Sequence, residues 1–329
     1  MSADTVGIAG TGYYVPRRIL TNIELSKMVE TSNEWILERT GISERRIAGP
    51  GETVSFMAEQ AARAALARAG VSAADLDLIV LGTFTPDQPL PAAACLLQAR
   101  LGNTRAPSFD VSAACCGFLY GLEIACHFLL SGRDYRTALV VSAEKLSAVT
   151  DWQDRNTCVL FGDGAGAAVL KRESARGRII DSYLGADGSS AGLLQIPGGG
   201  STLPSSPEVL QRRLNFIRME GKEVFKLAVS SMTRAARVVL ERNKLGPESI
   251  AWLLPHQANM RIMKSVAKAL KIQVEKVFIN VDRYGNMSGA TIPIGLAEME
   301  EKGLLRPGDH LLTVAFGGGL TWGATLIRW

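Results

Sequence analysis

Histidine is scarce in this chain: three residues in 329, far apart at positions 127, 256 and 310. The five cysteines (Cys95, Cys115, Cys116, Cys126 and Cys158) form no C-x-x-C pair, and no metal-ligand spacing occurs anywhere. An odd thiol count, with no secretory pattern in Met1–Gly10, leads us to expect reduced thiols in a cytoplasmic protein. Lys and Arg (36) barely outnumber Asp and Glu (32), giving a net charge of +4, and they form no block. There is therefore no nucleic-acid footprint. The longest apolar run, Cys115–Leu130, contains Glu123 and is too short to span a bilayer. No Walker sequence occurs, and the glycine clusters at 10–12, 162–166 and 317–319 lack the G-x-G-x-x-G spacing of a dinucleotide site. We expect no metal, no cofactor, no nucleic acid and no membrane.

What the chain does contain is itself, twice. Its length suggests about two units of roughly 150 residues, and 47% apolar with 21% charged residues places it among ordinary folded proteins. Ala61, Ala62, Arg63, Leu66 and Arg68 recur as Ala235, Ala236, Arg237, Leu240 and Arg242, at a constant offset of 174. Gly121-Leu122 recurs at the same offset as Gly295-Leu296. Several matches in one order argue for two homologous halves, 1–173 and 174–329. Each half alternates strand and helix, which predicts an α/β protein with a mostly parallel, buried sheet. Ala138–Ser142 and Leu311–Ala315 read as central strands covered on both faces. The Gly/Ser/Pro-rich stretch 185–207 reads as a surface loop between the halves.

Three groups could carry chemistry. Cys115 lies where a strand ending near Val111 turns into an apolar helix starting near Cys116. A helix N-terminus favours an anion, so the expectation is a depressed thiol pKa and a nucleophile. Cys116 should point into packing, and Cys126 and Cys158 read as core thiols. His256, in Pro255-His256-Gln257-Ala258-Asn259, holds the duplicate position of Gly82 at a strand's carboxyl end, a natural place for a general acid/base or donor. His127 and His310 read as structural. Asn286, in Gly285-Asn286-Met287-Ser288, lies at the matching strand-to-helix junction of the second half. An amide beside an imidazole offers two neutral donors for one developing oxyanion. The glycine run 317–319 can present backbone N–H groups to another.

These segments resemble the β-ketoacyl-acyl-carrier-protein synthase III family of the thiolase superfamily. The resemblance spans the chain and rests on Ser32-Asn33-Glu34-Trp35-Ile36 with Arg39-Thr40-Gly41-Ile42, Ala114-Cys115, Phe161–Ala167, Pro255–Asn259, Gly285-Asn286 and Phe316–Gly319. It implies a five-layered αβαβα thiolase fold and a homodimer. It also implies that Cys115 takes an acyl group from acyl-CoA, with the N–H groups of Cys115 and Gly318 as oxyanion hole. His256 and Asn286 would then stabilise the enolate formed as malonyl-acyl carrier protein loses CO2. Position by position, Trp35 and Arg155 would sandwich the CoA adenine, with Arg39 nearby. Met219, Gly221, Phe225 and Asn259 would line the pantetheine tunnel, and Ile217 and Phe316 the acyl pocket. Leu90 would close that pocket across the dimer, and Gln257, Arg261, Lys226, Lys264 and Lys268 would meet the acidic carrier protein. Leu90 stands where acetyl-preferring relatives often carry an aromatic residue, which suggests a branched or longer primer. Asn156 and Trp152 are further departures near the proposed CoA mouth.

Decarboxylation supplies the carbanion, so no strong base is needed, and the absence of any cysteine after Cys158 fits this chemistry better than plain thiolysis. Two rivals remain. One is a specialised acyltransferase or condensing enzyme of secondary metabolism with the same Cys/His/Asn set. The other is a non-catalytic acyl or carrier-protein binder, which would need no reactive thiol.

Overall fold

The computed structural model describes residues 5–131 and 133–329; of the Met1–Gly10 segment, residues 1–4 lie outside it. Nine strands form the main sheet: β1 (Val6–Tyr14), β2 (Leu78–Gly82), β3 (Ser108–Val111), β4 (Thr137–Glu144), β5 (Gly164–Arg172), β6 (Arg178–Ala186), β7 (Ile250–Pro255), β8 (His310–Gly317) and β9 (Thr321–Arg328). The longest described helices are α1 (Val54–Ala69), α2 (Ala93–Leu101), α3 (Gly117–Leu130), α4 (Gly221–Arg242), α5 (Met260–Leu270) and α6 (Thr291–Glu301).

The strand order is β7-β8-β9-β6-β1-β5-β4-β2-β3. The first-half strands and the second-half strands meet at a single pair, Gly7 with Arg178. Outward from that seam both sides run in the same order: β1, β5, β4, β2 on one and β6, β9, β8, β7 on the other. The turn Ala73–Asp75 recurs as Pro247–Ser249, and Ala114–Cys116 as Ser288–Ala290, each at the offset of 174 read from the sequence.

The sheet is not mostly parallel. β2 pairs parallel with β3 and β4, and β7 with β8, but β4–β5, β1–β5, β6–β9 and β8–β9 are antiparallel. No crossover helix lies between β4 and β5 or between β8 and β9, in keeping with the antiparallel return at both places.

Layering follows from side-chain alternation along buried strands. On β4, Leu139, Val141 and Ala143 pack outward with α1 and α2, while Ala138 and Val140 pack inward with α3. On β8, Leu312, Val314 and Phe316 face α4 and α5, while Leu311 and Ala315 face the centre. Helix α3 touches β2, β4 and β5 on one side and β6 and β9 on the other. The result is five layers, αβαβα, with α3 and α6 in the middle. Every residue of β4 and all but the first of β8 are buried, as expected for central strands. At burial of this depth each large apolar side chain contributes about 1.5–3 kcal/mol.

The glycine cluster at 162–166, which lacked nucleotide-binding spacing, is a packing device. A Cβ on Gly162 would lie 2.3 Å from the Tyr284 carbonyl oxygen, and one on Gly166 would lie 2.7 Å from the Ile294 nitrogen. These glycines let β5 and its approach press against the Asn286 loop and α6. Gly82 does the same at the end of β2, where a Cβ would sit 2.8 Å from the Gly117 carbonyl carbon. No described helix is long and apolar enough to cross a membrane.

Candidate active site

Between β3 and α3 the chain makes one 3-10 turn, Ala114–Cys116, with Ala114 held at φ 46° in the left-handed region. Cys115 follows on this strained support. The end of β8 passes directly behind it: a Cβ on Gly317 would lie 2.6 Å from the Cys115 nitrogen. Glycine at 317 is thus what lets Gly318 enter the same cavity wall as Cys115. Cys116 is fully buried among apolar side chains, as expected.

His256 comes one residue after β7, and its N–H donates to the Val314 carbonyl (2.8 Å), prolonging the β7–β8 register into the site. The side chain is buried, and its Nδ1 lies 2.7 Å from the Thr291 hydroxyl. Asn286 is clamped by its backbone, which donates to Leu160 O (2.8 Å) and accepts from Gly162 N–H (3.0 Å). Its Oδ1 accepts the Ser288 N–H (2.8 Å). Because a backbone N–H can only donate, that bond fixes the amide orientation and leaves the Nδ2 group as the donor.

Cys115, His256, Asn286, Ser288, Phe316 and Gly318 line one cavity of about 1210 Å³. Its walls also include Trp35, Arg39, Ile217, Met219, Gly221, Phe225, Asn259 and Arg261, all but one of them named from sequence for CoA or acyl contacts. The exception, Arg261, had been expected at the carrier-protein surface. It is exposed and also sits over the Phe225 ring, 5.8 Å from its centroid. Lys264, Lys268 and Lys226 are exposed too, the last paired with Glu223 at 2.8 Å.

Electrostatics in the cavity differ from the sequence expectation. Burial pushes the Cys115 thiol up to about 12, a push that the nearby Glu144 carboxylate reinforces and a 3.5 Å hydrogen bond from Ser288 Oγ opposes. Desolvation of the thiolate opposes the helix N-terminus that was expected to depress the pKa. Burial also moves His256 down to about 3, so the imidazole is neutral at physiological pH.

One assignment changes, and three others gain a structural setting. Gln257 is fully buried: its Nε2 donates to the carbonyls of Pro255 (2.8 Å) and Phe278 (3.1 Å), and its Oε1 accepts the Asn280 N–H (3.0 Å). It braces the His256 loop and presents nothing to a docking protein. Arg155 lies directly on Trp35, 4.7 Å from the ring centroid, and donates to the Glu30 carbonyl. Cation and ring attract each other, and a nucleobase sandwiched between them would part the two side chains. Leu90 is 83% exposed and lines no part of its own chain's cavity. Asn259 lines the cavity, and its amide also caps α5 through Arg261 N–H and donates to Arg39 O.

Sequence reading missed Ser288, Thr291 and Glu144, and it missed that Leu194 and Ile196 of the 185–207 stretch wall the cavity. One signal was available for Ser288, which duplicates Ala114 of the nucleophile turn at the 174-residue offset. Among the described residues, no cluster of His, Cys, Asp or Glu could hold a metal ion.

A nucleophile from one half facing an imidazole and an amide from the other, on this layered scaffold, defines a thiolase-fold acyltransferase of the condensing type. Residues 109–188 match the family 3-oxoacyl-[acyl-carrier-protein (ACP)] synthase III, and residues 240–329 match its C-terminal part. A β-ketoacyl-[acyl-carrier-protein] synthase III of Caldanaerobacter subterraneus subsp. tengcongensis is 52% identical over 323 residues, covering 98% of this chain and 97% of that protein. Another, from Roseiflexus castenholzii, is 48% identical over 99% of each. The crystal structure of 3-oxoacyl-[acyl-carrier-protein] synthase III from Aquifex aeolicus superposes with a TM-score of 0.92 at 48% identity, covering 98% of this chain and all of that one. The chain belongs to the β-ketoacyl-acyl-carrier-protein synthase III family.

Proposed function

We propose that this enzyme condenses a primer acyl-CoA with malonyl-acyl carrier protein to give a 3-oxoacyl-acyl carrier protein, the initiating step of fatty-acid synthesis. The observation that carries this reading is the convergence of Cys115, His256 and Asn286 on one long cavity with a basic rim. In the first half-reaction Cys115 Sγ attacks the thioester carbonyl, and the C–S bond to CoA breaks. The N–H groups of Cys115 and Gly318 hold the oxyanion. In the second, the malonyl C–C bond breaks, CO2 leaves, and the enolate oxygen rests on donors from His256 and Asn286. The enolate carbon then attacks the acyl-Cys115 thioester and the thiolate departs. A neutral His256 suits this step, because it stabilises charge without having to remove a C–H proton.

In this reading the halves 1–173 and 174–329 each supply one side of the site. The enzyme works as a cytoplasmic homodimer without a cofactor. Leu90, too exposed to serve its own chain, would plug the partner's acyl pocket next to Ile217 and Phe316 and admit a longer or branched primer. Arg261, Lys264, Lys268 and Lys226 would dock the carrier protein, while Trp35, Arg39 and Arg155 would meet the CoA nucleotide. The specialised-metabolism alternative is less favoured, since the relatives from Caldanaerobacter, Roseiflexus and Aquifex carry the synthase III name.

Intact-protein mass spectrometry after mixing with a panel of acyl-CoAs, followed by malonyl-acyl carrier protein, tests the reading. Acylation at Cys115 that is discharged to a 3-oxoacyl-carrier protein is the expected result. An acyl-enzyme that persists with malonyl-carrier protein present would point to a specialised acyltransferase, and no acylation to a binder.

A further inference from the structure

Within the proposed second half-reaction, His256 is useful only if its cavity-facing nitrogen carries a proton. A neutral imidazole has one N–H, so the other nitrogen must accept a hydrogen bond. Nδ1 has a partner, the Thr291 hydroxyl at 2.7 Å. Three groups therefore compete around a single Thr291 Oγ1. The Gln257 N–H, at 3.3 Å, can only donate to it. The Ser288 carbonyl, at 3.0 Å, can only accept from it, yet that carbonyl already takes the Thr291 backbone N–H. His256 Nδ1 can do either. A separation of 2.7 Å is the usual length of a bond donated by a hydroxyl and is short for one donated by a ring N–H. Giving the hydroxyl proton to Nδ1 satisfies every member of the cluster.

We infer that Thr291 is a positioning residue that fixes the tautomer of His256, donating its hydroxyl proton to Nδ1 so that Nε2–H is the group turned to the reacting carbonyl. The inference rests on the proposed condensation and adds a residue to it. Thr291 is the first residue of α6 and is fully buried, with Ser288 one turn before it, so the hydroxyl cannot be replaced by water without disturbing that helix start. The same helix start carries the Asn286–Ser288 bond, so one short segment orients both proposed enolate donors.

The test uses Thr291→Val, which keeps shape but cannot donate, and Thr291→Ser, which keeps the hydroxyl. With only three histidines, ¹⁵N-histidine NMR of the full chain is readily assigned by replacing His127 and His310 in turn. Wild type and Thr291→Ser should show His256 protonated at Nε2, and Thr291→Val should show a mixture or the opposite tautomer. Kinetically, Thr291→Val should slow CO2 release from malonyl-carrier protein by roughly tenfold or more while acylation of Cys115 stays within about threefold, and Thr291→Ser should restore the rate. An Nδ1-protonated His256 in the wild-type chain overturns the inference, whatever the substrates prove to be. Equal loss of both half-reactions, or no loss of either, overturns it as well. Should the wild type fail to become acylated at all, the reading of the reaction falls, and the NMR result still decides the tautomer.

Discussion

Ala114 and Ser288 stand 174 residues apart and adopt nearly the same left-handed backbone, with φ of 46° and 50°. Each opens the 3-10 turn that leads into a central helix, α3 in one case and α6 in the other. Neither is glycine, so both turns hold strain of about 1–3 kcal/mol in the place where the two halves supply their reactive groups. The two turns also meet, since the Ser288 hydroxyl donates to the thiol next to Ala114.

Cys115→Ala should abolish acyl-enzyme formation, whereas Asn286→Ala should leave acylation intact and cut malonyl decarboxylation by about 10²–10³-fold, the usual cost of one oxyanion donor. Mass spectrometry reads the first step and CO2 release the second. Equal loss of acylation in both variants would mean that the division of labour between the halves is wrong.

The buried thiol gives a pH signature. With Cys115 pushed up to about 12, the thiolate fraction, and with it the iodoacetamide labelling rate, should rise about tenfold per pH unit through pH 7–9 without levelling. Ser288→Ala should slow labelling at pH 8 by about two- to tenfold, the worth of one hydrogen bond. A plateau near pH 7 would mean that the helix N-terminus dominates after all.

Glu144 gives a second one, in stability. Burial pushes its carboxyl up to about 8, although the Thr83 and Thr85 hydroxyls and the N–H groups of Phe84 and Thr85 pull the other way. A carboxyl whose folded pKa lies above its unfolded value near 4.5 takes up a proton on folding. Its contribution is therefore most favourable below that value and is lost as pH rises toward about 8. Urea midpoints of wild type should fall across this window relative to Glu144→Gln, which does not titrate there. Parallel curves would refute the shift.

Docking and bracing can be separated by two substitutions on neighbouring residues. Arg261→Glu should raise KM for malonyl-carrier protein about tenfold while moving KM for acyl-CoA less than about twofold, because a rim charge acts mainly on encounter with a charged partner. Gln257→Ala should leave both KM values alone and cost about 1–3 kcal/mol of stability through the buried groups it strands. Matching shifts in both KM values for Arg261→Glu would refute docking at this rim.

What could be read from the residues depended on how local the cause was. The duplication was legible because the same residue types recur at one spacing, and that spacing also locates His256 and Asn286 at strand and helix ends. The strand directions of β5 and β9 were not, since they depend on the absence of a crossover helix. Gln257 misled because a position in a resemblance says nothing of burial, while its three buried partners come from the Pro255 and 278–280 segments. The thiol's pKa was out of reach for a related reason: the helix N-terminus is visible in sequence, but burial depends on layers folded from both halves. Thr291 and Ser288 gain their roles only where their hydroxyls lie beside the imidazole and the sulfur.

The close approaches of Gly82 and Gly289 give the duplication an asymmetry. Position 82 matches His256, and position 289 matches Cys115, so strict symmetry would put equivalent chemistry in both halves. At Gly82 a side chain would now run into the Gly117 backbone, and at Gly289 a Cβ would lie 2.5 Å from the Ser142 hydroxyl. In both places the first half fills the space that the sibling's reactive side chain would need, with the Gly117 backbone at Gly82 and the Ser142 hydroxyl at Gly289. The two copies have become complementary parts of one catalyst, and neither could be lost or returned to its sibling's role without rebuilding the interior around it.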